Sequence, residues 1–230
     1  MIEFAEHPQL WPAAFTARFE APLGGLSPNP RIQAALSMGA VDHAVELGID
    51  HLDSEGREAI QRATRSMLRL GGYKPSGRGK PSSEYLVRAN RAGDLPNINV
   101  AVDAANALSL HSGLPISVVD LDRLKAPLVV DTVDRASYVF NASGQEIRLD
   151  GLLCLSDAAG PRANAVKDCH ATKTHAGTEA VVVVIWGPRP HASHCEAVLE
   201  AYMAVLAEAG ATVERVSAGR GPLPNGAGRS

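Results

Sequence analysis

The run from Val181 to Trp186, V-V-V-V-I-W, is apolar at every position. Successive side chains of a strand point to opposite faces of its sheet, so a strand with one wet face alternates apolar and polar residues. An unbroken apolar run of this length predicts a central strand covered on both faces. Such a strand needs a layer on each side of it. The rest of the chain supplies the material. Helical patterns come first. The β-rich runs L-V-V-D-T-V, S-Y-V-F, E-I-R-L and L-L-C-L follow, separated by the turns N-A-S-G-Q and D-A-A-G-P, and one more helix and strand close the pattern. This order predicts an α+β fold, a layered β-sheet and helix domain with an N-terminal helical segment, not a doubly wound one.

The helices are marked by their ends. Residues 1–28 read as a short strand or arm followed by a loop, and the Ala-rich pattern from Asn29 to Glu46 predicts a helix ending at Gly48. Asp53 or Ser54 caps a second helix through Ile60, Ala63, Met67 and Leu70, which Gly71-Gly72 stops. Its other face carries Arg57, Arg62, Arg65 and Arg69, a solvated face or a stripe facing a polyanion. Pro81 suits the first turn of a third helix, and a fourth runs from about Asn99 to Ser112, closed by Gly113 and Pro115. Ser193 with Glu196 three residues on predicts a capping box for a last helix ending at Gly210, before the strand T-V-E-R-V-S. These elements are expected to form one domain over 1–217, with 218–230 a disordered Gly- and Pro-rich tail.

Composition excludes some partners. With 230 residues, 45% of them hydrophobic, a core forms without disulfides or metal. The formal net charge is −3, so no overall basic field draws polyanions, and nucleic-acid binding would need a local patch. Cys154, Cys169 and Cys195 are odd in number and lack CxxC spacing, as expected of reduced thiols in a cytoplasmic setting. No apolar run approaches the roughly 20 residues of a membrane span, and the N-terminus does not read as a signal peptide.

The most informative polar feature is L-P-N-I-N-V-A-V-D-A-A-N-A-L-S-L-H-S-G-L-P. On a helix beginning near Asn99, Asn99, Asp103 and Asn106 stand at i, i+4 and i+7, a polar stripe on an apolar helix. Buried amides and carboxylates need partners, supplied either by the protein or by a ligand. The glycine-rich G-G-Y-K-P-S-G-R-G-K has neither phosphate-loop spacing nor a preceding strand.

Together with K-P-S-S-E-Y-L-V-R before it and V-D-L-D-R-L after it, this block resembles the freestanding B3/4-domain proteins. It is also similar to the B3/B4 editing module of the phenylalanyl-tRNA synthetase β subunit. G-Q-E-I-R-L-D-G-L-L-C-L-S-D-A-A-G-P-R-A-N-A-V and T-E-A-V-V-V-V-I-W extend the resemblance over about 78–186. The resemblance implies a mixed β/α fold with a pocket where sheets and helices meet. In the synthetase that pocket hydrolyses a mischarged aminoacyl-tRNA ester. Carried over, it makes Asn106, Asp103 and Ser117 the catalytic candidates and Asn99, Glu84, Arg88, Asp157, Lys167 and Asp168 the substrate-binding ones, with Thr172 and Thr174 at the rim. Ser117 stands where the module has its pocket His, and Lys167-Asp168 where it has a Gly-Gly turn. The implied partner is an aminoacyl-tRNA or a free amino acid, with no cofactor. The implied reaction is trans-editing hydrolysis of a mischarged or noncanonical aminoacyl-tRNA. The alternative is a non-catalytic module that binds tRNA, an amino acid or a small metabolite.

Other groupings carry blander expectations. Cys169, His170, His175, His191, His194 and Cys195 match no standard zinc spacing, and no metal is expected. Cys154 lies in an apolar strand, Glu84 and Arg88 suit a surface i, i+4 pair, and His111 at a helix end suits a cation on the helix dipole.

Overall fold

The computed structural model describes residues 2–39 and 43–216. In chain order its elements are β1 (Ile2–Phe4), β2 (Leu10–Phe19), α1 (Pro30–Leu36), α2 (Ser54–Arg69), α3 (Ser82–Ala92), α4 (Val100–Ser112), β3 (Ile116–Asp120) and β4 (Leu128–Val133). Then come β5 (Ser137–Val139), β6 (Glu146–Arg148), β7 (Leu152–Asp157), β8 (Gly160–Asn164), β9 (Ala180–Pro188), α5 (Ala192–Glu208) and β10 (Ala211–Arg215). They form two four-stranded sheets, ordered β1-β4-β7-β8 and β10-β2-β9-β3, and a β5-β6 ribbon. Among the described residues only β1 and β4 pair in parallel; the other pairs are antiparallel. The fold is α+β, as expected.

The apolar run at 181–186 lies in β9, between β2 and β3. Its alternation is between two cores, not between core and water. Val181, Val183 and Ile185 pack with α1, α4 and α5 residues such as Leu108, Leu199 and Tyr202. Val182, Val184 and Trp186 pack with Val130, Leu153 and Leu155 of the other sheet and with Met67 and Leu68 of α2. Every residue from Ala180 to Trp186 is fully buried. At roughly 25 cal/mol per Å² of apolar surface, this strand is among the main sources of stability.

Four expectations are corrected. The helix over Asn29–Glu46 is only seven residues long: Asn29 caps it, and Ser37 turns extended with its hydroxyl bonded to the Ala34 carbonyl. Residues 40–42 of that expected helix lie outside the described residues, as does the tail. The segment that reads as a short strand or arm and then a loop holds the short β1 and, where the loop is expected, β2, a ten-residue strand inside the sheet. Pro12 disguised it, since proline is rare in central strands. β10 pairs with β2 only from Phe15 to Phe19, so at Pro12 the strand has a neighbour on one side. β3 and β8 were missed because Pro115 and the turn-like A-A-G-P-R mask them. The capping box at Ser193 does not form: α5 begins at Ala192 without a side-chain cap, and Glu196 instead receives the Arg215 guanidinium.

The remaining ends agree with their signals. Asp53 caps α2 through the Gly56 amide, Asn99 caps α4 through the Val102 amide, and Gly113 closes α4 in the left-handed region. Among the described residues no helix is long and apolar enough to cross a membrane.

Candidate functional site

A cleft of about 650 Å³ opens between three segments: residues 77–88, the turn of the β5-β6 ribbon, and the turn after β8. That volume suits a drug-sized ligand. Its walls carry five cationic side chains, Arg78, Lys80, Arg88, Lys167 and Lys173. None of the five makes an ion pair among the described residues. The protein is acidic overall, yet here it concentrates unpaired positive charge. The lining also includes Phe140 and Tyr85, the latter 69% exposed.

The segment that carries Arg78 and Lys80 is held by close backbone contact. Gly71 and Gly151 meet so tightly that a Cβ on either would collide with the other's carbonyl oxygen. From there Tyr73 reaches on and donates its hydroxyl to the Gly79 carbonyl at 3.1 Å. These glycines do more than stop α2; they anchor one wall of the cleft.

The turn after β8 is held from several directions. Asn164 Oδ1 accepts from the amides of Val166 (2.8 Å) and Lys167 (3.0 Å). Its amide nitrogen donates to the Tyr138 hydroxyl, which in turn donates to the Lys167 carbonyl at 2.5 Å. Asp168 Oδ1 accepts from Ser117 Oγ at 2.7 Å and from the Asn164 amide at 3.2 Å. Ser117 accepts from Trp186 Nε1 at 2.9 Å, so a buried chain runs from the core of β9 through β3 to the cleft. Such a turn presents Lys167 and Asp168 in one arrangement.

Burial pushes the Asp168 carboxyl up to about 6, opposed by the Ser117 hydroxyl, the Asn164 amide and Lys173. Lys167 is half-buried, with its ammonium 3.8 Å from the centroid of the Phe140 ring. Desolvation, then Arg78 and Lys173, lower its pKa. Glu84, the other carboxylate of the lining, is committed to Arg65 through two bonds of 2.7 and 2.5 Å. The expected Glu84–Arg88 pair is therefore not formed: Glu84 turns to α2 and leaves Arg88 exposed at the cleft.

The sequence candidates thus separate. Glu84, Arg88, Lys167 and Asp168 line the cleft, and Ser117 lies directly beneath Asp168. The α4 stripe lies elsewhere. Asn99 caps its own helix and donates to Thr174 Oγ1 at 3.1 Å, which ties α4 to the loop bearing Lys173. Asp103 accepts from the Ile98 amide (2.9 Å) and Gln33 (3.2 Å); its pKa is raised, chiefly by desolvation. Asn106 is half-buried and is absent from the lining of the cleft. Asp157 takes the Arg162 guanidinium at 2.9 Å and the amides of Ala159 and Lys125. Burial raises its pKa, but those donors outweigh burial and the net direction is down. Thr172 is buried against the carbonyls of Cys169 and Arg162.

His111 departs from its expectation. It is buried, Nε2 faces the Ala35 carbonyl at 2.9 Å and Nδ1 accepts from the His43 amide. Desolvation first, then Arg57 and His43, lower its pKa, so it is a neutral link between α4 and α1, not a cation on the dipole. Among the described residues no three His, Cys, Asp or Glu side chains are grouped to hold a metal. His194 bonds the Ser112 carbonyl, His175 faces Asp120, and burial pushes the Cys195 thiol up to about 12.

Sequence reasoning did not select Arg78, Lys80, Tyr85, Phe140, Gln145 or Lys173. The usable signal was charge density: G-R-G-K fails as a phosphate loop but places two cations in three residues.

Comparison with known proteins locates the cleft within a family. Among solved structures, an N-terminal fragment of the phenylalanyl-tRNA synthetase β-subunit from Pyrococcus horikoshii is similar at a TM-score of 0.43 and 15% identity. The alignment covers 49% of this chain and 40% of that one, so the chain spans well under half of that fragment. No curated protein matches the chain. The family model described as the B3/4 domain matches residues 75–195, a stretch that contains every cleft-lining residue. It takes in more than half of the chain, and the protein belongs to the B3/4 domain family.

Proposed function

We propose that this protein binds the aminoacylated 3′ end of a tRNA in the basic cleft and hydrolyses the ester of a mischarged or noncanonical aminoacyl group. The observation that carries this reading is the set of unpaired cations facing a cleft with aromatic side chains. Phosphates seek the first and nucleobases stack on the second. Membership in the B3/4 family and the resemblance to the synthetase editing module support the choice of tRNA over other polyanions.

The chemistry rests on the 164–168 turn. With Glu84 held by Arg65, Asp168 is the carboxylate left to act as a base. A pKa of about 6 leaves it ionised at neutral pH and still able to take a proton from water. That water attacks the ester carbonyl, and the tetrahedral oxyanion develops near Lys167, where a half-buried ammonium is worth more than one in open solvent. The ester bond breaks, the proton passes to the departing ribose oxygen, and the amino acid is released. Ser117 and Trp186 keep Asp168 in place.

Incubation with a panel of aminoacyl-tRNAs tests the proposal. Loss of one ester that slows at least ~10²-fold in Asp168→Asn supports it. Intact esters across the whole panel reject hydrolysis. A second reading, binding without turnover, is favoured by one feature: Asp168 bonds internal donors, as a loop anchor would. It predicts tRNA binding by the wild type with no ester loss.

A further inference from the structure

A second chamber adjoins the cleft. It has a volume of about 510 Å³ and shares Arg78, Phe140, Gln145 and Lys167 with the first. Tyr73 and Arg148 extend it beyond the shared wall. The Lys167–Phe140 contact stands in that wall, and the bond from Tyr73 to Gly79 steadies the far side. The chamber therefore repeats the chemistry of the cleft on a smaller scale: aromatic side chains, an amide and cations, with Glu146 the one carboxylate in its lining.

A free amino acid or a single nucleotide needs only one of these spaces. A polynucleotide strand alternates phosphate and base, and two adjoining chambers that share a cation match that repeat. Resting on the reading above, we infer that the site is bipartite. The terminal nucleotide with its ester occupies the cleft, the preceding nucleotide stacks in the Tyr73–Phe140 chamber, and Arg78 holds the phosphate between them. Arg148, 86% exposed and paired with Asp150 at 2.6 Å, closes the outer side on the second phosphate. The protein then recognises a strand, not an isolated monomer, and the two-nucleotide end is its recognition unit.

The test measures binding of single-stranded RNA of one, two and three nucleotides with free 3′ hydroxyls, by calorimetry or fluorescence anisotropy at fixed salt. The expected gain from one nucleotide to two is on the order of tenfold, from one more stacked base and one more phosphate, and a third nucleotide adds less than about twofold. In Arg148→Gln the ratio of dinucleotide to mononucleotide affinity should fall by about threefold, the share of the second phosphate, while the stacked base keeps it above one. Equal binding of mononucleotide and dinucleotide by the wild type, or a ratio untouched in Arg148→Gln, overturns the second chamber as a subsite and leaves the function of the cleft standing. Failure of every RNA to bind a folded protein overturns both.

Discussion

Helix α4 and the turn at 164–168 both set polar side chains into apolar surroundings, but they direct them differently. On α4, Asn99 serves its own helix end and Asp103 is met by Ile98 and Gln33. On the turn, Asn164, Tyr138 and Ser117 use up their hydrogen-bonding capacity on backbone and neighbours, and the result is to push Lys167 and Asp168 out to a cleft. A polar residue whose partners are all internal describes a scaffold. A cation held in place by such residues with no carboxylate paired to it, as at Lys167, marks a candidate site, and Asp168, which accepts from Ser117 and Asn164, belongs to both classes.

The sharpest way to break that contrast is charge reversal. Lys167→Glu adds a carboxylate beside Asp168 and removes one of the two cations, Arg78 and Lys167, shared by both chambers. RNA binding should fall ~10²-fold, with a shallower dependence of affinity on salt, while the melting temperature moves little. Normal binding by this variant would mean that the cleft is not the anion site. Asp103→Ala should do the opposite. It strips partners from the Ile98 amide and Gln33 at a buried position, which costs about 1–3 kcal/mol of stability. Denaturant midpoints should show that loss, while binding stays within about twofold. A defect in hydrolysis out of proportion to stability would return α4 to the site.

How much of this was legible in the sequence follows from the range of the interactions. The apolar run of β9, the start of α2 at Asp53 or Ser54, the start of α4 near Asn99 and the glycine stop at Gly113 are local signals, and the structure agrees with each. Pairing partners are not local. Pro12 in β2 and Ser193 before α5 send clear local signals that tertiary contacts overrule. The same holds at the site. Lys167 and Asp168 entered through family resemblance, whereas Lys80, Phe140 and Lys173 come together only once β5, β6 and the turn after β8 are assembled. The α4 stripe turns to internal partners and not to this cleft, since helical spacing shows which residues share a face but not what that face meets.

A pH series sharpens the comparison at Asp168. Its folded-state pKa is raised to about 6, above the ~4 of an unfolded aspartate. Between these values the folded protein holds a proton that the unfolded chain has lost. This contribution to stability is therefore greatest at low pH and falls as pH rises from about 4 to 6, by on the order of 1–3 kcal/mol. Asp168→Asn should flatten that segment of the stability profile. Ester hydrolysis should run the other way, rising through pH 6 as the base ionises. A wild-type rate that is flat across that range would leave Asp168 an anchor and favour binding without turnover.

The smallest expected effect concerns the arginine face of α2. Arg62 pairs with Glu58 at 3.3 Å and both are well exposed, with side chains 67% and 70% accessible. Exposed i, i+4 pairs contribute only ~0.3–0.5 kcal/mol, so Arg62→Ala should shift the melting temperature by about 1–2 °C at most. It also lies outside the lining of the cleft, and RNA affinity and its salt dependence should stay those of the wild type. Lys80→Ala, two residues from Arg78 at the cleft, is the matched comparison: it should lower the salt slope by about 0.7, the share of one phosphate on a single strand. If Arg62→Ala weakens binding as much as Lys80→Ala does, the anion-binding surface extends along α2. Local charge density would then matter more than the enclosed cleft, and the contrast between scaffold and site would have to be drawn across a wider face.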